Sequence, residues 1–543
     1  MFSIDQNCHS LWDSLPKVQA LASRGQAVTH FIEDIDVAFT SLGSALEAGQ
    51  LRLERERYHR SGGADWGAAL FYSEFLGRLP VEIRRWEPCT GMKTAVLARH
   101  LHRSVDELYD EFSPSDNWQL VGPSYAGDKQ HHRTIADLTA AEVEPFLHEI
   151  LAKARANTLE SFPAADSQRR TGEWFDRELA RMASAIDGSR TLVEIYRKWM
   201  GGYVDGAGVE LRKTSELFDP SQPRQEVLEI FTRHYDRAAD LYNQAVEACD
   251  VGLRPLRREQ GELPFFAFYS HGGHAVRSGV NLEGFSLRIA QRSFPLEAGG
   301  RLPRRALAEA GIGGLAGKAV LLVLQVRCGQ GGQALAMPHR GSVYMPAAHR
   351  LEGLLRREGL LAGPLAPVMR VRFGLLDQLG GLDAPIVLPP HLRPYFGATE
   401  IAARVLGESW RDLAKDAAGR LERLKDAGFR EQWQKQEFAD VLGEIDQLDR
   451  RRRELAASDP KGAEIRKIWN DIKLRQVEML DGLLRRIAGD WQLRDIDYWD
   501  SRGAILPWCI ALGGREFYDK VLREAQVYPE TGEENTNVTN EDE

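Results

Sequence analysis

Over residues 399–487 the sequence keeps a helical period almost without a break, and this stretch limits the fold more than any other. Leu406, Trp410, Leu413, Ala417, Leu421 and Leu424 recur every three or four residues, as do Phe438, Leu442, Ile445 and Leu448. After an interruption, Ile468, Ile472, Leu480, Leu484 and Ile487 resume the stripe. The interruption is Ala457-Ser458-Asp459-Pro460, an N-cap residue followed by proline at the first helical position. The pattern predicts an antiparallel helical hairpin, a coiled coil turning at 457–460, with arms of ~27 residues and about 40 Å. Trp410 and Trp469 are expected on its buried seam. Arg450-Arg451-Arg452-Arg453, beside the turn, reads as a solvated helix end.

The rest of the chain alternates in character. Residues 38–57 and 93–112 have helical spacing, and 81–86 alternates like a strand. Residues 113–133 are polar and rich in turn formers. Helices are expected over 140–159, capped by Thr139 with Glu142 three residues on, and over 173–199 and 223–249. Beyond Gly261 the period becomes extended, with strands expected at 264–270, 278–290, 318–327 and 366–376. KAVLLVLQVR (318–327) is continuously apolar and reads as a strand buried on both faces of a largely parallel sheet.

A chain of 543 residues exceeds one ordinary core. The reading is therefore an α/β protein, with a mixed-sheet core followed by the long hairpin. Its parts are a helical segment (1–62), the α/β core (63–398), the hairpin (399–490), a segment packing back on the core (491–528) and an acidic tail (529–543).

No run nears the ~20 apolar residues of a membrane span. The opening MFSIDQNCHSLWDSLPK lacks a basic region leading into an apolar stretch, so a cytoplasmic location is expected. Cys8, Cys89, Cys249, Cys328 and Cys509 are far apart and form no C-x-x-C pair, so neither a disulfide framework nor a metal site is expected. The net charge is −9, but residues 529–543 hold six acids and no base, leaving about −3 for the body. A nearly neutral body argues against nucleic acid as a partner. The composition names no cofactor, and homodimerisation stays open.

Four places concentrate chemistry. Cys89-Thr90-Gly91-Met92-Lys93-Thr94 opens a helix but fails as a phosphate loop, because Met92 separates Gly91 from Lys93. A second segment carries Asp128, Lys129, His131, His132 and Arg133 around Gly127, groups that titrate or bind anions. A third, between two strand candidates, holds His271, His274 and Arg277 around Gly272-Gly273, where the alternative is a plain hairpin turn. The fourth follows the apolar run 318–327, with Gln330 among glycines, then His339, Arg340, Ser342 and Tyr344. Ligands of open α/β sheets bind beyond the carboxyl ends of strands, where that loop is expected. His131, His132 or His339 would be the general base. Arg133 and Arg340 would clamp an anion, with Lys129, His271, His274, Arg277, Gln330, Ser342 and Tyr344 lining the substrate.

The order of elements, with APVMRVRFGLLD (366–377), the long hairpin and GREFYDKVLREA (514–525), resembles the cysteine ligase family of bacillithiol biosynthesis. TRHYDRAADLYNQAVEA (232–248) followed by GELPFFAFY (261–269) is similar to bacterial relatives of that family. The resemblance spans 205–525 and implies a Rossmann-like core with a coiled coil, and a reaction adding an amino acid such as cysteine to a small anionic acceptor. Residues 1–200 lack the family's T-G-Q-Q loop and S-E-D-H-D signature, so no family residue carries over one for one. Two functions follow: a ligase- or transferase-like enzyme of biosynthesis, or an interaction protein working through its hairpin.

Overall fold

The computed structural model describes residues 1–5, 12–39, 51–59, 63–64, 70, 72–220, 224–249, 251–329, 331–457 and 462–530. At its centre are six strands in the spatial order Gln526–Pro529, Val368–Arg372, Leu335–Pro338, Phe2–Ile4, Val28–Ile32, Val209–Lys213. All pair in parallel except Gln526–Pro529, which runs antiparallel at the edge. Short apolar strands suit such a sheet because helices cover both faces. Val28, Ile32, Ala336 and Val371 point into a core built with helices Ala140–Ser161, Leu192–Val204 and Ile505–Glu524. Phe2, Phe31, Leu335, Met337 and Val368 point into a second core, under helices Tyr235–Cys249, Ala319–Arg327 and Met345–Arg357.

From Phe2–Ile4 the chain builds outward on one side through Val28–Ile32 and Val209–Lys213, then on the other through Leu335–Pro338 and Val368–Arg372. The strand order therefore reverses beside Phe2–Ile4. The carboxyl ends of strands flanking such a reversal diverge and leave a crevice.

A second, antiparallel sheet has the order Arg292–Pro295, Ser286–Ile289, His274–Glu283, Glu262–His271, Ile312–Gly317. The short strand His132–Arg133 adds to His274–Glu283 through the pairs His132/Arg277 and Arg133/Val276.

Several sequence expectations need correction. KAVLLVLQVR is not a strand: Ala319–Arg327 is a helix. Nearly all of its residues are buried, so it has no polar face to show a helical period, and an apolar run of this length is ambiguous by pattern alone. Residues 81–86 form a tight turn of helix, Ile83–Trp86, because the Glu82 side chain accepts from Arg84 N. The helix expected over 93–112 is two, Thr94–His100 and Val105–Phe112, the second opened by a Ser104/Glu107 capping box. That over 173–199 divides at Gly188 into Ala165–Ile186 and Leu192–Val204, and that over 223–249 divides at His234. Part of the expected helix 38–57 lies outside the described residues; within it, Arg52–His59 is a strand paired with Pro114–Val121 from the stretch read as turns. The first 62 residues thus supply strands rather than helices alone. At the other end the fold continues past 528, for Pro529 is in the edge strand and Glu530 pairs with Arg370 and His349.

In the hairpin, the segments Ala403–Arg423, Ala427–Glu437 and Ala439–Ala456 follow one another along the single helix Ala463–Arg494. The ion pairs Arg420–Asp490, Glu444–Arg475 and Arg451–Glu464 descend on one arm as they rise on the other, so the arms are antiparallel. At 1.5 Å per residue the 32-residue helix is about 48 Å long. The expected turn residues 458–460 lie outside the described residues. Trp410 is buried, with its Nε1 donating to Asp377, but in the main core. Trp469 is 44% exposed, and its placement on the seam is corrected: it lies towards the tip, where only two helices meet. The base of the hairpin is better covered, since Leu421, Leu424, Leu483, Leu484 and Ile487 pack with Trp86, Leu97 and Leu108.

Among the described residues no helix is long and apolar enough to cross a membrane. Cys89, Cys249, Cys328 and Cys509 carry free thiols, and Cys8 lies outside the described residues.

Candidate active site

Strand Val28–Ile32 delivers an acidic turn, Glu33-Asp34-Ile35-Asp36, to the carboxyl edge of the parallel sheet. Glu33 Oε1 accepts from the backbone N–H groups of Ile35 and Asp36 at 2.7 Å each. Burial, with Asp36 and Asp34 close by, holds the Glu33 carboxyl well above its ordinary pKa. Asp34 accepts from Ser215, through N–H at 2.7 Å and Oγ at 2.5 Å, which ties this turn to the end of Val209–Lys213.

Opposite the turn, Asp137 is the hub of a second cluster. It accepts from Ala275 N at 2.9 Å, from Arg133 Nε, and from His274 Nδ1 at 3.1 Å. Arg133 also approaches Glu142 at 3.5 Å, and Glu142 closes the expected capping box with Thr139. Between the two clusters lies a cavity of about 790 Å³, lined by Asp34, Arg133, Asp137, Glu142, Ser215 and His274 among others. Three carboxylates against one guanidinium make it favourable for a positively charged group. The carboxylate at Nδ1 selects the His274 tautomer with its proton there, leaving Nε2 as a proton acceptor.

On the other face of the same strand pair a basic crevice opens. His132 and Arg277 are cross-strand partners. Arg277 donates to Asp36 at 2.7 Å and lies over the Phe266 ring at 4.3 Å. Lys318, at the N-terminus of Ala319–Arg327, brings its Nζ to within 3.6 Å of where a β-carbon on Gly279 would stand. Burial, then the Arg277 and Lys318 charges, push the His132 pKa down to about 4, so its imidazole is neutral near pH 7. Burial also lowers the Lys318 ammonium's pKa, against the pull of Glu262 at 4.0 Å. Burial and the Asp36 carboxylate raise the Tyr344 phenol.

Two of the loops singled out in the sequence therefore converge. His131 stacks on His271 with ring centres 3.8 Å apart, and its Nδ1 donates to the Asp128 carboxylate over 2.8 Å. Arg133 and His274 share Asp137. Lys129 is exposed on its loop, and Gln330 lies outside the described residues. His339 and Arg340 do follow a strand at the sheet's carboxyl edge, but that strand is Leu335–Pro338. They line no part of the cavity: His339 meets Tyr528 and Asp497, and Arg340 grips Asp497 through two nitrogens. Ser342 holds a left-handed backbone (φ 59°), and its buried Oγ has no partner among the described residues.

Asp34, Asp36, Asp137, Glu142 and Lys318 were missed as site residues. Asp137 carried a signal, standing four residues after Arg133 in a turn-rich segment. Lys318 was hidden by the strand reading of the residues that follow it.

No protein-family model matches the chain, and no curated protein matches it.

Proposed function

We propose that the chain is a ligase- or transferase-like enzyme, with a Rossmann-like core and a coiled-coil hairpin, that joins an amino acid to a small anionic acceptor. One observation carries this reading: the Asp137–His274 pair opens on an acid-lined cavity at the carboxyl edge of the parallel sheet. The ammonium of an amino acid suits the carboxylates of Asp34 and Glu142. His274 Nε2 takes a proton from it, and Asp137 steadies the imidazolium that forms. The freed amine then bonds to the acceptor's electrophilic carbon as the bond from that carbon to the leaving oxygen breaks; the His274 imidazolium gives its proton to the departing oxygen and then takes the remaining excess proton from the new C–N nitrogen. The basic crevice beside Asp36 suits the acceptor's anion.

The test is incubation of the full chain with pooled amino acids and pooled anionic acceptors, with and without nucleoside triphosphate, read by mass spectrometry. A condensed product that His274→Ala reduces at least a hundredfold is expected. A product formed equally by that variant would overturn the assignment of the base. Absence of any product would favour the second reading, an interaction protein. That reading draws on Trp469 and Leu474, large apolar side chains 44% and 56% exposed on the hairpin.

A further inference from the structure

The crevice holds an arrangement that the proton step leaves unused. Along strand His274–Glu283, Arg277 and Gly279 share one face, two residues apart, and His132 stands opposite Arg277 on the added strand. Gly279 is exposed and has no side chain, so the strand is dented there, and Lys318 reaches over the dent. Phe266, paired with Gly279 across the ladder, makes an apolar floor beneath Arg277. Three nitrogen-bearing side chains thus ring one small depression.

Their hydrogen-bonding capacity is largely unspent. Among the described residues the Lys318 ammonium donates no hydrogen bond, and its nearest carboxylate, Glu262, stands 4.0 Å away. Glu262 is itself occupied, accepting from both Arg254 terminal nitrogens at 2.7 Å and from Arg257 N at 3.1 Å. The His132 ring meets Tyr125 at a tilt of 43°, with centres 4.6 Å apart, and has no hydrogen-bond partner among the described residues. Arg277 spends one terminal nitrogen on Asp36. Lys318 stands with Arg277 and Arg254 against Glu262, and His132 with Arg277 and Lys318, so cations outnumber carboxylates around the depression. A planar guanidinium, a mobile ammonium and a neutral imidazole around a dent match a compact oxyanion with several acceptor oxygens.

We propose that Lys318, Arg277 and His132, arranged around Gly279, form a subsite for a phosphate group carried by the acceptor. This deepens the enzyme reading and rests on it for the word acceptor; the subsite itself rests on the geometry alone. A bound phosphate takes the Lys318 N–H groups, the free side of Arg277 and the N–H of the neutral His132 ring.

Calorimetric titration of the full chain with inorganic phosphate, at low ionic strength and pH 7, tests this. Saturable binding is expected, weakened at least tenfold in Lys318→Met and Arg277→Met and blocked in Gly279→Val, whose side chain fills the dent. Arg340→Met, whose side chain grips Asp497 outside the crevice, should bind as the parent does. Nuclear magnetic resonance of the His132 ring supplies a readout independent of variants: saturating phosphate should raise its pKa from about 4 by more than one unit. Acetate binding as tightly as phosphate would make this a carboxylate site and overturn the phosphate assignment. No phosphate binding, or binding indifferent to Lys318→Met with His132 unmoved, would overturn the subsite. Phosphate binding without any condensed product would leave the subsite standing and remove the enzyme reading; a product untouched by Lys318→Met would do the reverse.

Discussion

Asp500 offers a quantitative test of the packing at the carboxyl edge of the sheet. It is completely buried, its Oδ1 accepts from Leu376 N at 3.1 Å, and Arg372 reaches Oδ2 only at 3.5 Å. Burial outweighs both, and lifts its pKa from 3.8 to about 7. The folded state therefore keeps a proton that the unfolded chain releases above about pH 4. Below that pH both states are protonated and Asp500 costs nothing. Between pH 4 and 7 its contribution to stability declines, and above pH 7 the loss is complete. About three pKa units correspond to about 4 kcal/mol at most. Asp500→Asn keeps the shape and the acceptor for Leu376 N while removing the ionisation. It should match the parent at pH 4 and exceed it by up to about 4 kcal/mol at pH 8, read by urea denaturation with tryptophan fluorescence. A difference independent of pH, or a variant less stable than the parent at pH 8, would refute the reasoning.

Trp410→Ala should cost about 3–5 kcal/mol in the same denaturation assay, whereas the exposed Trp469→Ala should cost under about 0.5 kcal/mol. Arg420→Met takes from fully buried Asp490 the cation that holds it through two nitrogens, leaving only Arg486 at 4.0 Å, and should cost about 3 kcal/mol. Glu530→Ala should cost about 3 kcal/mol, because Arg370, 4% exposed, loses its carboxylate; a silent result in thermal melting would detach residue 530 from the fold. Gly503→Ala should lower the melting temperature, since its β-carbon would stand 1.9 Å from the Trp12 carbonyl oxygen.

The hairpin was legible because its stripe repeats over many turns. The capping box at Thr139 and Glu142 was legible because its signal is local. Helix breaks at Gly188 and His234 were not, because the apolar spacing continues across them. Ala319–Arg327 was misread because it is apolar on every side, and pattern alone cannot tell such a helix from a buried strand. Within the site, the sequence marked clustered histidines and arginines as candidates but could not pair them. His274 meets Asp137 across 137 residues, and Arg277 meets Asp36 across 241. Those pairings depend on which strands become neighbours, which periodicity does not encode. The acids were overlooked because single aspartates and glutamates on loops are too common to stand out.

Chemical rescue is the most direct test of His274 as the base. His274 is half exposed at the cavity, so His274→Gly removes the ring and leaves space for free imidazole. In the condensation assay, His274→Gly should lose product formation at least a hundredfold, and added imidazole should restore it in a saturable, pH-dependent way. Full activity of the variant without imidazole, or a loss that imidazole never repairs while the fold stays intact, would contradict the assignment.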